Sequence, residues 1–126
     1  MGTETKEAKS ERLIQEAIKK RGYIFPEWEF VARMDPDFFE SYNNLYGASL
    51  GKSGALGIKA KEFVSLGILA YRGVPTDVLV NHIKRAYDNG ATKEEILEVF
   101  ESSLASGGAP TFFNGLKALL DMEKKS

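Results

Sequence analysis

The chain has 126 residues, with 17 lysines and arginines against 18 aspartates and glutamates, and it contains no cysteine. This length allows one domain to bury a hydrophobic core without disulfides or a structural metal. The lack of cysteine excludes thiol redox chemistry, a disulfide framework and a thiolate metal site. The interspersed charges exclude the basic surface of a nucleic-acid-binding protein, so no nucleic-acid partner is expected.

The N-terminal residues MGTETKEAKSER carry charges and lack the apolar stretch of a secretory signal. Lys6 stands where a myristoylation motif needs serine or threonine, and the longest apolar stretch, Phe63 to Tyr71, is too short to span a bilayer. We therefore expect a cytoplasmic protein without a membrane partner. A single domain over residues 1–126 is predicted, with residues 1–20 as a peripheral helix or a partly disordered segment.

Apolar residues recur at helical spacing throughout the chain, and no segment alternates convincingly with period two. A first helix is predicted over about 7–21, ending at Gly22. A second opens at Phe25-Pro26 and stops near Asp35-Pro36, since proline suits the first turn of a helix and disfavours helix in the residue before it. A third covers about 37–46.

Residues 47–57, GASLGKSGALG, are predicted to be the one real linker, because they contain four glycines and two serines. Lys52-Ser53 after Gly51 resembles the end of a phosphate-binding loop. The motif GxxxxGK[ST] is nevertheless absent, since no glycine stands five residues before Gly51 and no strand precedes the segment. We interpret it as an ordinary loop.

Four further helices follow the linker. The fourth, about 59–72, is apolar on almost every side after Glu62, which is typical of a helix buried centrally or between subunits. The fifth starts at Pro75 or Thr76 and stops at Asn89-Gly90, and the sixth opens with a Thr92–Glu95 capping box. The seventh, about 110–122, is expected to bury Phe113, Leu116, Leu119 and Leu120. The prediction is an all-α, compact bundle of six to seven helices.

His82 is the single histidine of the chain, and imidazole is the side chain whose ordinary pKa lies in the physiological range. Its spacing from Leu79, Ile83 and Ala86 puts it on the apolar face of the fifth helix. Two interpretations remain open. His82 is either a core histidine with one satisfied nitrogen or a partly buried general acid or base.

Glu62 is the natural neighbour for His82, although the helix dipole also favours a carboxylate in the first turn of a helix, where Lys59 and Lys61 flank it. The short turn between the two helices predicts an antiparallel hairpin, with His82 one or two turns away, so direct contact stays open. A metal site is not expected, since one histidine and no cysteine leave too few ligands. The acidic side chains at the start of the sixth helix are interpreted as solvated surface: Glu94, Glu95, Glu98 and Glu101.

The order and spacing of several short motifs resemble the carboxymuconolactone decarboxylase family over roughly residues 35–120. These motifs are Lys61-Glu62-Phe63, Asn81-His82-Ile83, Asn89-Gly90-Ala91-Thr92 with Glu94-Glu95-Ile96, and Gly107-Gly108-Ala109-Pro110 before a helix. The resemblance implies the alkyl hydroperoxidase D-like all-α fold. It also implies a homo-oligomer, a trimer or hexamer, with active sites near subunit contacts.

The resemblance also implies one of two chemistries. The hydroperoxidase-like branch uses a Cys-x-x-Cys that would fall at Pro75 and Val78, so its disulfide chemistry is excluded here. The other branch implies cofactor-independent loss of CO2 from a small carboxylated lactone, with His82 as general acid/base and Glu62 orienting it. A basic group for the substrate carboxylates is expected, with Lys59, Lys61 or Arg72 as candidates. The alternatives are a non-catalytic binding or assembly protein on the same scaffold, and an isomerase or hydrolase acting on a conjugated acid.

Overall fold

The computed structural model describes residues 3–124, and over these residues it contains seven α-helices and no strand. The all-α prediction is therefore confirmed. The helices are α1 Lys6–Arg21, α2 Pro26–Met34, α3 Pro36–Ser49, α4 Ile58–Arg72, α5 Thr76–Asp88, α6 Lys93–Gly107 and α7 Ala109–Lys124. None of them is both long and apolar enough to serve as a membrane-spanning segment.

Local capping explains most of the helix ends. Gly22 adopts a left-handed conformation with φ 88° and ends α1, a position that glycine takes without steric cost. Asp35 ends α2 and then caps α3, its carboxylate accepting from the Phe38 amide at 3.1 Å. The capping box of α6 is present as predicted, with Thr92 and Glu95 bonding reciprocally.

The predicted start of the linker at residue 47 is wrong, because α3 continues to Ser49. No proline stops the helix there, and a single glycine inside a helix costs only about 1 kcal/mol relative to alanine. The irregular segment between α3 and α4 is therefore shorter than the glycine pattern indicates.

The chain divides into two compact units, one ending at Gly51 and the other beginning at Lys52. The first unit contains α1, α2 and α3, each packed against the other two. Trp28 stacks on Tyr42 with ring centroids 4.2 Å apart, and the buried hydroxyl of Ser10 donates to the Ala32 carbonyl at 2.7 Å. The buried apolar side chains of this unit are Leu13, Ile14, Ala17, Ala32 and Phe39.

The second unit contains α4 to α7, and α7 packs against each of the other three helices. Gly73, with φ 67°, ends α4 and opens the tight turn into α5. α4 and α5 therefore form the predicted hairpin. The buried side chains of this unit include Leu66, Ala70, Leu79, Ile83, Ile96, Phe100 and Leu119.

The predicted buried face of α7 is partly wrong. Leu119 is buried, but Phe113 and Leu120 are exposed. The face that α7 turns to the core consists mainly of small residues, Thr111, Gly115 and Ala118. A Cβ built on Gly115 would lie 2.3 Å from the Phe100 ring, so the aromatic side chain of α6 takes the space that a leucine stripe would have filled.

Candidate active site

Glu62 of α4 and His82 of α5 are in direct contact within one chain. The Oε2 atom of Glu62 lies 2.8 Å from Nδ1 of His82. Both residues were site candidates from the sequence, which left their contact open. The structure therefore brings together the one imidazole of the chain and a carboxylate.

Glu62 is completely buried, with a side-chain exposure of 0%. The prediction that Glu62 lies in the first turn of α4 is wrong, because α4 begins at Ile58 and Glu62 therefore lies in its second turn. It shares its helix face with Leu66 and Ala70, which are also buried. A buried carboxylate is costly unless it is paired, and its partners therefore define the site.

His82 is less enclosed than Glu62, since 16% of its side chain is exposed. The buried residues around it on α5 are Leu79, Ile83 and Ala86. When Glu62 is ionised, its carboxylate only accepts hydrogen bonds, and His82 then donates through Nδ1–H. In the neutral ring this leaves the lone pair on Nε2, the nitrogen that can accept a proton.

Arg85 is the second charged neighbour of Glu62, and the sequence interpretation missed it. Its Nε atom lies 3.4 Å from Oε1 of Glu62, as an ion pair without hydrogen-bond geometry. The signal that points to it is its position three residues after His82, since residues three apart share one helix face.

The three basic candidates from the sequence have other positions. Lys59 pairs with Glu95 of α6 at 3.1 Å, and Lys61 donates to the carbonyl of Lys52 at 2.7 Å. Arg72 lies in the last turn of α4, ten residues after Glu62. The structure records no contact of these three with Glu62 or His82 among the residues it describes.

An open groove of about 840 Å³ runs between α4 and α6 and reaches the start of α7. Its α4 wall is apolar and solvent-exposed at Val64, Ile68 and Tyr71. Glu62 and His82 do not line it. We call this surface the α4–α6 groove; its lining residues on α6 are Glu95, Glu98, Val99, Ser102, Ser103, Ser106 and Gly107.

Glu95, which lines this groove, is held in place by hydrogen bonds. The backbone amide of Thr92 donates to Glu95 at 2.9 Å, and Lys59 donates to the same carboxylate. These bonds favour the ionised form, and they hold the pKa of Glu95 below its usual range. Glu95 thus belongs to a helix cap and is half-buried, whereas Glu94, Glu98 and Glu101 are exposed.

The fold and the buried carboxylate–imidazole pair describe an all-helical protein whose site lies between the two helices of a hairpin. The model of the carboxymuconolactone decarboxylase family matches residues 36–121. Because this match covers more than half of the sequence, the chain belongs to the carboxymuconolactone decarboxylase family.

A solved structure has the same fold. It is that of a proposed carboxymuconolactone decarboxylase from Burkholderia xenovorans LB400, with a TM-score of 0.75 and 19% sequence identity. The similarity covers 96% of each chain. A comparison with curated proteins gives no match.

Proposed function

We propose that this protein is a cofactor-independent decarboxylase of a small carboxylated lactone, with His82 as the proton-transferring group. The observation that supports this most directly is the 2.8 Å contact between Glu62 and His82. It combines a partly exposed imidazole with a fully buried carboxylate that can fix its orientation and tautomer, as acid–base catalysis requires.

In the proposed reaction the bond between the substrate carboxylate and its ring carbon breaks, and CO2 leaves. The electron pair remains on the ring carbon and is delocalised into the lactone carbonyl. His82, which takes up a proton from solvent at Nε2 when the anionic substrate binds, transfers this proton to that carbon. The new C–H bond forms, and the ring returns to the neutral Nδ1–H form. Glu62 accepts from Nδ1 throughout and acts as a positioning residue for the ring.

The alternative chemistry of the family has no chemical basis in this chain. A disulfide-based hydroperoxidase needs two thiols, and the corresponding positions carry Pro75 and Val78 in a sequence without cysteine. We therefore assign the proton transfer to His82, with Glu62 as its positioning residue and with no cofactor.

We also propose that the protein assembles as a homo-oligomer, a trimer or hexamer, in the cytoplasm. The α4–α6 groove supports this, because α4 exposes Val64, Ile68 and Tyr71 to solvent. These residues are spaced by four and three positions, so they form one apolar stripe along the helix. An apolar stripe of this kind marks a contact surface.

The same groove favours the second candidate function, a non-catalytic assembly protein. In that case the contact between Glu62 and His82 would serve stability only. The two candidates differ in whether a small carboxylated substrate loses CO2 in the presence of the protein.

The test is an assay of CO2 release with a panel of carboxylated lactones and, as control substrates, the same lactones without the carboxyl group. We expect CO2 only from the carboxylated compounds and only with protein. A carboxylated panel that yields no CO2, with an intact oligomer, would favour the assembly protein. Consumption of a substrate without CO2 release would indicate an isomerase or hydrolase instead.

A further inference from the structure

Glu62 lies between two groups that can each compensate its negative charge. Its Oε2 atom contacts Nδ1 of His82 at 2.8 Å, and its Oε1 atom lies 3.4 Å from Nε of Arg85. One buried carboxylate thus has two potential cationic partners. With arginine always charged, the three groups sum to zero when His82 is neutral and to +1 when it is protonated.

From this arrangement we infer that Arg85 is a positioning residue that compensates the charge of Glu62, so that His82 rests as the neutral Nδ1–H tautomer with its lone pair on Nε2. Protonating His82 would place a second positive charge on a carboxylate that already has one. Coulomb interactions are strong where water is excluded, and Glu62 has no exposed surface. Arg85 therefore disfavours the imidazolium in the unliganded protein.

Other charged groups of this unit form ion pairs between helices. Lys59 of α4 pairs with Glu95 of α6 at 3.1 Å, and Lys93 of α6 contacts Glu123 of α7 at 3.3 Å. Within the unit that begins at Lys52, the recorded ionic contacts of Glu62 are those with His82 and Arg85.

The inference rests on the proposed function in one respect, which is the use made of Nε2. A neutral ring with a free lone pair takes up a proton when an anionic substrate adds negative charge beside it. The imidazolium formed in this way readily donates its proton to the carbanion. Arg85 shares the negative charge of Glu62, and Glu62 therefore stabilises the imidazolium less than it would without Arg85. Arg85 thereby connects substrate charge to the protonation of His82.

The test is nitrogen NMR of the unliganded protein labelled with ¹⁵N-histidine, which yields one pair of ring signals because His82 is the only histidine. Wild type at neutral pH should show a neutral ring protonated at Nδ1. The Arg85→Gln variant should not show the signals of this ring form at the same pH. The signals should move either toward the imidazolium or toward the Nε2–H tautomer formed when Glu62 itself takes the proton.

Two variants serve as controls. Lys84→Gln removes the same charge from the adjacent, exposed position of α5 and should keep the wild-type spectrum. Arg85→Lys retains the charge and should restore it. A purely structural role for Arg85 would lower stability without changing the charge or tautomer of the ring in folded protein.

The inference is overturned if folded Arg85→Gln keeps the wild-type spectrum. It is equally overturned if wild type shows an imidazolium or an Nε2–H ring at neutral pH, a result that does not depend on whether Arg85→Gln folds. Since no substrate is present, these outcomes are independent of the CO2 assay. Failure of the decarboxylase proposal would leave them unchanged.

Discussion

Glu62 shows how a single residue can define a site in an otherwise apolar helix pair. Its carboxylate is fully buried, and its recorded polar contacts are with His82 and Arg85. Replacing one member of a buried ion pair leaves the other uncompensated, which is more costly than the pair itself is stabilising. The three side chains therefore depend on one another for stability, and in the proposed reaction for chemistry as well.

Glu62→Gln should lower the free energy of unfolding by about 1–3 kcal/mol, less than for a fully buried pair because Arg85 is one-third exposed. Urea denaturation measures this loss. Glu101→Gln, at an exposed position of α6, is the matched control and should stay within about 0.5 kcal/mol of wild type. Equal stability of the two variants would contradict the account of Glu62.

His82 and Glu62, two of the three residues of the candidate site, were predictable from the sequence, each because of its own residue type and position. His82 is unique in the chain, and Glu62 interrupts an apolar helix, so both attract a functional interpretation. Arg85 was missed because basic residues on helix surfaces are common. Its ion pair depends on how α4 and α5 cross, which the sequence does not fix.

At the scale of the helices, starts and stops follow local rules. Thr5, Asp35 and Thr92 cap their helices through side-chain bonds, and Gly22 and Gly73 end theirs. These positions were predictable to within a few residues because capping depends on neighbours in the sequence. The end of α3 was not, because no local signal distinguishes its glycine from a linker glycine.

The capping box of α6 should make the free energy of unfolding depend on pH in the acidic range. The pKa of Glu95 is lower in the folded chain than in the unfolded chain, because the Thr92 amide and Lys59 bond its ionised form. Its contribution is therefore present above the unfolded pKa and is lost as the pH falls through the folded pKa.

Glu95→Gln should accordingly flatten the dependence of stability on pH in the acidic range. Urea midpoints measured from neutral to acidic pH test this, with the exposed Glu101→Gln as control. A Glu95→Gln variant that loses stability on acidification as steeply as wild type would contradict the assignment.

The packing of α7 on α6 depends on the missing side chain of Gly115. A Cβ there would lie 2.3 Å from the Phe100 ring, which is itself fully buried. Gly115→Ala should destabilise the protein, since overpacking costs about 1–3 kcal/mol and alanine recovers only about 1 kcal/mol of helix propensity.

Gly47→Ala in α3 is the control, because a Cβ at Gly47 meets no atom within 4 Å. This variant should be neutral or stabilising by up to about 1 kcal/mol. Thermal or urea unfolding of the Gly115→Ala and Gly47→Ala variants separates the cost of overpacking from the gain in helix propensity. A stabilised Gly115→Ala would show that the two helices can move apart freely.

At the scale of the whole molecule, the exposed apolar side of α4 was only partly predictable. The sequence indicates a helix that is apolar on almost every side, and the structure resolves this into a core face with Leu66 and Ala70 and an exposed face with Val64, Ile68 and Tyr71. In the proposed oligomer another copy of the chain covers the exposed face, and a single sequence does not specify such a partner surface.

Ile68→Glu should reduce the proposed oligomer, because a charge in the α4–α6 groove would be desolvated on assembly. Sedimentation should give wild type a mass three or six times that of the 14.0 kDa chain and the variant a smaller one. Leu56→Glu is the matched control, since Leu56 is similarly exposed but does not line the groove. An unchanged Ile68→Glu oligomer would place the contact elsewhere.

We propose above that His82 performs the proton transfer of a decarboxylation. The most direct measurement is kcat/KM for CO2 release by wild type and His82→Gln on the best carboxylated lactone, with the oligomer of both checked by sedimentation. We expect His82→Gln to lower kcat/KM by about 10²–10⁴-fold, the usual contribution of a general acid or base, in a protein that remains assembled. A His82→Gln variant with undiminished CO2 release would contradict it.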